Sequence, residues 1–281
     1  MLYLTLDLEF HDAIKGVNKK EKEMYIFEQD IILKKIFSLL NENNIRISCF
    51  VTDEFVKNFY DFFHKYVVKR HEVCCHTSSH LFYRGNNIDD FIKEMRMNKN
   101  YLERETGLKC KGFRAPSGVV PNNLISILKK LSFKYDSSIV PGFMPGRFNH
   151  SKAPKEPYFP DPFNILIPNK NKNNEIIEFP TLTSKFLKLS MSGIFLSYYN
   201  NFIDYKKFES IYGLMYLHAV DFKKFHIFEK SYFWDKLKNT KVYWKFLEFF
   251  VQKNKNKDIT LDELYHTQIH QSIPILEKSI F

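Results

Sequence analysis

The strongest constraint on this chain is a rhythm in which short apolar runs alternate with longer stretches of helical periodicity. Leu2 to Leu6 reads as a buried first strand, and it ends in the acidic stretch Asp7-Leu8-Glu9-Phe10-His11-Asp12. Residues 22 to 43 follow with Ile31, Ile32, Leu33, Ile36, Phe37, Leu39 and Leu40 at helical spacing, closing on Asn43-Asn44. Ile45 to Val51 is a second strand, and Thr52 is placed to cap a helix through about residue 68. Glu72 to Cys75 is a third strand, and residues 88 to 106 form an amphipathic helix with Gly107 just past its end. Lys111 to Arg114, Phe133 to Asp136 and Leu214 to Leu217 are expected as strands. Asn122 to Leu131, Tyr205 to Tyr212 and about Phe233 to Val251 are expected as helices, and a strand-to-helix cap at Asp258 to Leu264 completes the chain. Such alternation predicts a parallel α/β fold, either a barrel or a doubly wound sheet. In both, ligands sit at the C-terminal ends of the strands.

The 281 residues suffice for one large domain, and we expect a single domain over 1–281. Its rhythm breaks only in an excursion at about 141–175, where seven prolines from Pro141 to Pro168 are followed by Asn169-Lys170-Asn171-Lys172-Asn173-Asn174. Long ordered loops of this kind often shape substrate sites. With 44% hydrophobic and 26% charged residues the composition excludes a disordered chain. The net charge of +10 favours anionic partners, whether nucleic acid, an anionic membrane surface or an anionic glycan. The lysines are scattered and no recognition motif is present, so a nucleic-acid partner is not expected.

Four cysteines include the adjacent pair Cys74-Cys75 and no CxxC, which is poor geometry for a disulfide framework and suits a reducing compartment. The N-terminus opens directly on a strand, without a basic segment and cleavage site, and no stretch of about 18 apolar residues is present. The expected location is the cytoplasm, with peripheral contact at the inner membrane face as an option. Phe222, Phe225, Phe228, Tyr232, Phe233 and Trp234, interleaved with Lys223, Lys224 and Lys230, read either as an interfacial patch or as core aromatics with exposed lysines.

Chemistry gathers at the expected strand ends. His76 and His80 fall on one face if Thr77 to His80 turn into a helix, and two neutral imidazoles so placed can grip a divalent cation. Asp7, Glu9 and Asp12 would repel one another unless a cation or shared proton relieved them. With the two histidines they suggest a His₂-carboxylate site open to water and substrate, beside which an unligated carboxylate could take a proton from water. Gly112-Phe113-Arg114-Ala115-Pro116-Ser117 puts a guanidinium at a strand end, where it could orient such a base. His218, closing a strand, could protonate a leaving amine with Asp221 or Asp136 as its orienting partner.

Five stretches in order resemble the polysaccharide deacetylases of the NodB-homology group (carbohydrate esterase family 4-like), metal-dependent hydrolases of acyl groups on sugars. They are Thr5-Leu6-Asp7-Leu8-Glu9, His71-Glu72-Val73 through His80, Gly112 to Ser117, Tyr135-Asp136-Ser137-Ser138, and Leu217-His218-Ala219-Val220-Asp221-Phe222. The third and fourth are similar to the subgroup tied to bacterial surface-polysaccharide loci. The resemblance implies a distorted (β/α) barrel and one divalent ion, Zn²⁺ first and Co²⁺ or Ni²⁺ next, held by His76, His80 and an acidic residue. It further implies Asp7 as base, Arg114 orienting it and His218 as acid. The family commonly carries two adjacent aspartates in its first motif. Here Leu8 follows Asp7, so the metal carboxylate falls to Glu9 or Asp12. Ala219-Val220 stands in place of Pro-Trp, and Ser117 in place of a frequent aromatic.

The implied substrate is an acetamido sugar, lipid-linked or nucleotide-linked, on the way to a surface glycan. A deformylase or other sugar-amide hydrolase on the same scaffold is the nearest alternative. A non-catalytic glycan or lipid-carrier binding protein is another.

Overall fold

A computed structural model describes residues 2–10, 16–169, 176–184, 190–192, 196, 213–225 and 238–270. At its centre lies β1 (Leu2–Leu8), buried along its whole length. It is flanked by β2 (Ser48–Val51) and β11 (Gly213–His218), both parallel to it. Successive strand residues face opposite sides. Leu2, Leu4, Leu6 and Leu8 therefore share one face, and Thr5 and Asp7 share the other.

From β2 the sheet continues through β3 (Glu72–Cys75), β4 (Gly112–Phe113), β5 (Tyr135–Asp136) and β10 (Ile177–Glu178), giving the order β10-β5-β4-β3-β2-β1-β11 with every pairing parallel. Just past β10, Thr181 bridges Leu214 of β11, and the Leu182 N–H donates to the Leu214 carbonyl at 2.7 Å. That contact brings one sheet edge round to the other. The result is the curled, distorted (β/α) barrel that the sequence implies.

The helices follow the expected positions with informative differences. α1 (Lys19–Glu42) starts earlier than its apolar periodicity, because Asn18 and Glu21 form a reciprocal capping box. Thr52 caps α2 (Asp53–Asn58) as predicted, yet the helix expected to run to about 68 breaks at Phe59. It resumes as α3 (Tyr60–Phe62) and widens into a π-helical turn over Phe63–Val68. α4 (Ile88–Thr106) ends as predicted on Gly107, whose φ of +69° is a left-handed conformation that glycine adopts without a Cβ clash.

Between β4 and β5 lies α5 (Leu124–Lys130), and after β11 come α6 (Thr240–Asn254) and α7 (Leu261–His270). The expected helix at Tyr205 to Tyr212 lies outside the described residues, as do 233–237 of the segment expected to begin at Phe233. The proline-rich excursion contains two hairpins, β6–β7 (Phe143–Met144 with Phe148–Asn149) and β8–β9 (Pro160–Asp161 with Asn164–Pro168). Reciprocal backbone hydrogen bonds between Tyr158 and Glu178 tie it to β10.

Cys49, Cys74, Cys75 and Cys110 are free and buried. Phe222 and Phe225 are core residues, 2% and 0% exposed, which removes them from the suggested interfacial patch. Phe228, Tyr232, Phe233 and Trp234 lie outside the described residues. No described helix is long and apolar enough to cross a membrane. Gly112 is required by close approach, since a Cβ there would meet a ring carbon of Tyr135 at 2.2 Å and Cys74 Sγ at 2.8 Å.

The His71-Glu72 pair that leads into β3 sits at the opposite end of the strand from His76, and its partners are structural. His71 Nδ1 accepts from the Ile47 N–H at 3.3 Å, so the ring's Nε2–H is the donor to Asn41 Oδ1 at 2.9 Å. The Glu72 carboxylate accepts from Ser48 Oγ, the Asp262 N–H and the Tyr135 hydroxyl. Burial nevertheless pushes Glu72 up to about 7. The unfolded chain releases this proton near the ordinary glutamate value while the native state holds it, so Glu72 costs stability as pH rises from about 4.5 through about 7. Glu72→Gln removes that loss. The gain in melting temperature of the variant over the parent should therefore be several degrees larger at pH 8 than at pH 5, at about 2–4 °C per kcal/mol. An equal difference at both pH values would refute the assignment.

Candidate active site

The parallel register sets the C-terminal strand ends level, pairing Asp7 with His218, Val51 with Cys75 and Cys75 with Phe113. Asp7 and Glu9 come from the end of β1, His76 and His80 from the loop after β3, Arg114 from just past β4, and His218 from the end of β11. The structure thus gathers six of the predicted site residues at one mouth of the barrel. Asp12 lies outside the described residues.

Among the described residues, the Glu9, His76 and His80 donor atoms form one cluster, all within 4.8 Å of one another. Glu9 Oε2 is 2.9 Å from His76 Nε2 and 2.7 Å from His80 Nε2. His76 Nδ1 lies 2.8 Å from the Arg114 carbonyl, which can only accept, so Nδ1 carries the hydrogen. A neutral His76 then turns the Nε2 lone pair toward a carboxylate oxygen. Two acceptors this close call for an extra proton or a cation between them. This donor set suits a divalent ion, with the Arg114 carbonyl fixing the tautomer of one ligand. Burial opposes ionisation of Glu9, but the neighbouring imidazoles, His80 foremost, outweigh it and hold the carboxyl well below its usual range.

The histidines converge by a route other than the helical turn their spacing suggests. Thr77 and His80 adopt φ of +60° and +58°, and the imidazole centroids stand 5.1 Å apart. Non-glycine residues held in this left-handed region cost about 1–3 kcal/mol each and persist where surrounding contacts impose them.

Beside the cluster, Asp7 and Arg114 form an ion pair, 4% exposed at each residue, with Asp7 Oδ1 2.5 Å from Nη1. Arg114 also donates to Thr5 Oγ1 at 2.9 Å, to the Ser137 carbonyl at 2.9 Å and to Ser137 Oγ at 2.8 Å. Its guanidinium lies 4.0 Å from the Phe50 ring centroid. The other oxygen of Asp7, Oδ2, is 3.7 Å from His218 Nε2, and His218 Nδ1 is 3.3 Å from Asp221 Oδ2. Burial pulls the His218 imidazole down, but the Asp221 hydrogen bond and the charges of Asp221, Glu9 and Asp7 push it up to about 9.

Of the two partners suggested for His218, only Asp221 reaches it. Asp136 is fully buried behind Arg114, where it accepts from Ser138 Oγ at 2.7 Å beside Glu178. Burial and the Asp136 charge push Glu178 well up. Sequence reasoning missed Glu178, Ser137, Asp53 and Asn98. Asn98 did leave a signal, since it interrupts the buried stripe Phe91, Met95, Leu102 of α4 with an amide.

Residues 18–135 match the model of the polysaccharide deacetylase family, a stretch that contains His76, His80 and Arg114. This stretch is similar to a polysaccharide deacetylase domain. Asp7, Glu9 and His218 fall outside the matched stretch and join it through β1 and β11. The family comprises hydrolases acting on acyl groups of sugars, generally with a divalent metal, and the Glu9-His76-His80 cluster is this domain's candidate site for one.

No curated protein matches the sequence. Solved structures share the architecture. One, from Mycobacterium smegmatis and described as a polysaccharide deacetylase, aligns with a TM-score of 0.64 at 13% identity over 97% of this chain and 91% of its own. PuuE allantoinase gives 0.62 at 15% identity over 97% and 91%. A mutant of a CE4 family pseudoenzyme gives 0.50 at 12% identity over 94% and 67%. At such identities the likeness shows the fold alone, and the function has to be argued from the site. If these three residues hold an ion, dialysed wild-type protein will retain one Zn²⁺ per chain, while His76→Ala and His80→Ala each lose it. Elemental analysis of purified protein reads the difference, and full retention by both variants would sink the assignment.

Proposed function

We propose that this domain is a metal-dependent hydrolase that removes the N-acetyl group of an acetamido sugar, a precursor of a bacterial surface glycan. The observation that carries the reading is the convergence, at one barrel mouth, of a three-ligand cluster with a guanidinium-held carboxylate and a carboxylate-backed imidazole. A Zn²⁺, Co²⁺ or Ni²⁺ ion held by Glu9, His76 and His80 supplies Lewis acidity toward a carbonyl oxygen and toward water.

The chain's own residues move the protons. Asp7 keeps Oδ1 on Arg114, which leaves Oδ2 to take the proton from water as its oxygen bonds to the acyl carbon. Hydrogen bonds to the Ser137 carbonyl and Oγ hold the Arg114 guanidinium, which in turn fixes the carboxylate's direction. His218 holds a proton on Nε2 while Asp221 faces Nδ1. As the carbon–nitrogen bond breaks, the amine nitrogen takes the Nε2 proton, and an amine and acetate result. The 3.7 Å between His218 Nε2 and Asp7 Oδ2 supports a pairing of the two at one reacting centre.

The net charge of +10 supports a phosphate-bearing substrate, lipid-linked or nucleotide-linked, met in the cytoplasm or at the inner membrane face. Acetate release from acetamido sugars in lipid-linked, nucleotide-linked and free form tests the activity, and release of formate from formamido sugars instead would reassign the acyl group. Asp7→Asn is expected to retain the ion and lose about 10²–10⁴-fold in turnover. A fully active Asp7→Asn protein would remove Asp7 from the base role.

A further inference from the structure

Behind the two histidine ligands lies a buried hydrogen-bond network that touches neither imidazole. Asn98, on α4, is fully buried, and its Oδ1 accepts the backbone N–H of His76 at 2.9 Å. Its amide group donates to the Val51 carbonyl at the end of β2, at 3.0 Å, and to Asp53 Oδ1 at 2.7 Å. Asp53 Oδ2 accepts from Ser78 Oγ at 2.5 Å. The backbone N–H groups of Asp53 and Glu54 donate to the Ser78 carbonyl at 3.0 and 3.3 Å. One helix therefore grips the loop through its first ligand, and another grips it two residues later.

The donor and acceptor pattern matches an amide. The His76 N–H meets the amide oxygen, while the Val51 carbonyl and the Asp53 carboxylate each accept from the amide nitrogen, so one side chain supplies one acceptor and two donors. Within the loop held this way, Thr77 and His80 occupy the left-handed region, so the conformation that brings the two imidazoles together is imposed from outside.

We infer that Asn98 and Asp53 are positioning residues that preform the loop carrying His76 and His80, so that affinity for a divalent cation depends on two side chains that never touch it. The inference rests on the metal site proposed above. With an amide at 98 and a carboxylate at 53, the loop is set before the ion arrives. Without them, part of the binding energy goes into ordering Thr77 to His80.

The test is Zn²⁺ affinity of apo-protein, measured by competition with a chromophoric chelator, alongside the melting temperature of each apo-protein. Asn98→Leu removes all three hydrogen bonds at similar volume and should weaken Zn²⁺ binding about 10–100-fold. Ser78→Ala removes only the hydroxyl donor to Asp53 and should weaken binding to a lesser degree, which keeps the test alive if Asn98→Leu does not fold. Asn98→Asp faces one carboxylate with another and should bind poorly. Adding Asp53→Asn to it restores a donor opposite an acceptor, and affinity should recover toward wild type.

A merely structural role would lower apo melting temperatures and leave Zn²⁺ affinity unchanged in Asn98→Leu and Ser78→Ala, and that result would overturn the inference while leaving the metal site intact. A double variant no better than Asn98→Asp would equally count against it. Wild-type protein that binds none of Zn²⁺, Co²⁺ and Ni²⁺ would overturn the site, and this inference with it.

Discussion

The arrangement depends first on burying one guanidinium. Arg114 is 4% exposed, and a cation there costs several kcal/mol unless its donors are met. They are met by groups from distant parts of the chain: Thr5 and Asp7 on the central strand, and Ser137 beyond β5. Aromatic rings from β2 and β11, Phe50 and Tyr216, flank it at 4.0 and 5.3 Å. A barrel whose strand ends were out of step could not satisfy this one side chain. The same side chain's backbone carbonyl sets the tautomer of His76. Arg114 thus links the proton-transfer half of the site to the ligand half.

The alternation Asp7-Leu8-Glu9 follows from the same geometry. A strand's side chains alternate between faces, so residues 7 and 9 can both turn toward the mouth while Leu8, 1% exposed, packs in the core. With Asp7 committed to Arg114, Glu9 stands just beyond the strand and its longer side chain spans the gap to both imidazoles. Two carboxylates on one face repel unless cationic groups relieve them. Both face His218 Nε2, at 3.7 Å from Asp7 and 3.6 Å from Glu9, while Arg114 serves Asp7 alone and His76 and His80 serve Glu9.

Much of this was legible in the sequence because it is local. The apolar run of β1, the stripe and glycine stop of α4, the Thr52 cap and the spacing of His76 and His80 are all patterns within a few residues. What was not legible depends on partners far along the chain. The barrel closes through Thr181 and Leu214, which no periodicity connects. Asp136 was a reasonable partner for His218 until the sheet order put it behind Arg114, beside Glu178. The backbone between His76 and His80 was not legible either, because an i, i+4 spacing is the same in sequence whether that backbone is helical or twice left-handed.

A helical turn would have drawn its later N–H groups back onto its own carbonyls. The left-handed loop instead leaves the His76 N–H and the Ser78 carbonyl facing inward, and each must find a partner in a region without water. Asn98 and the first residues of α2 are those partners. A polar residue in the middle of an apolar helical stripe is costly unless its hydrogen bonds are complete, and here all three are made, to backbone groups at the ends of β2 and β3 and to the first side chain of α2. The helices thereby do more than cover the sheet. Through one buried amide, the outer layer of the barrel specifies the backbone conformation at its chemically active end.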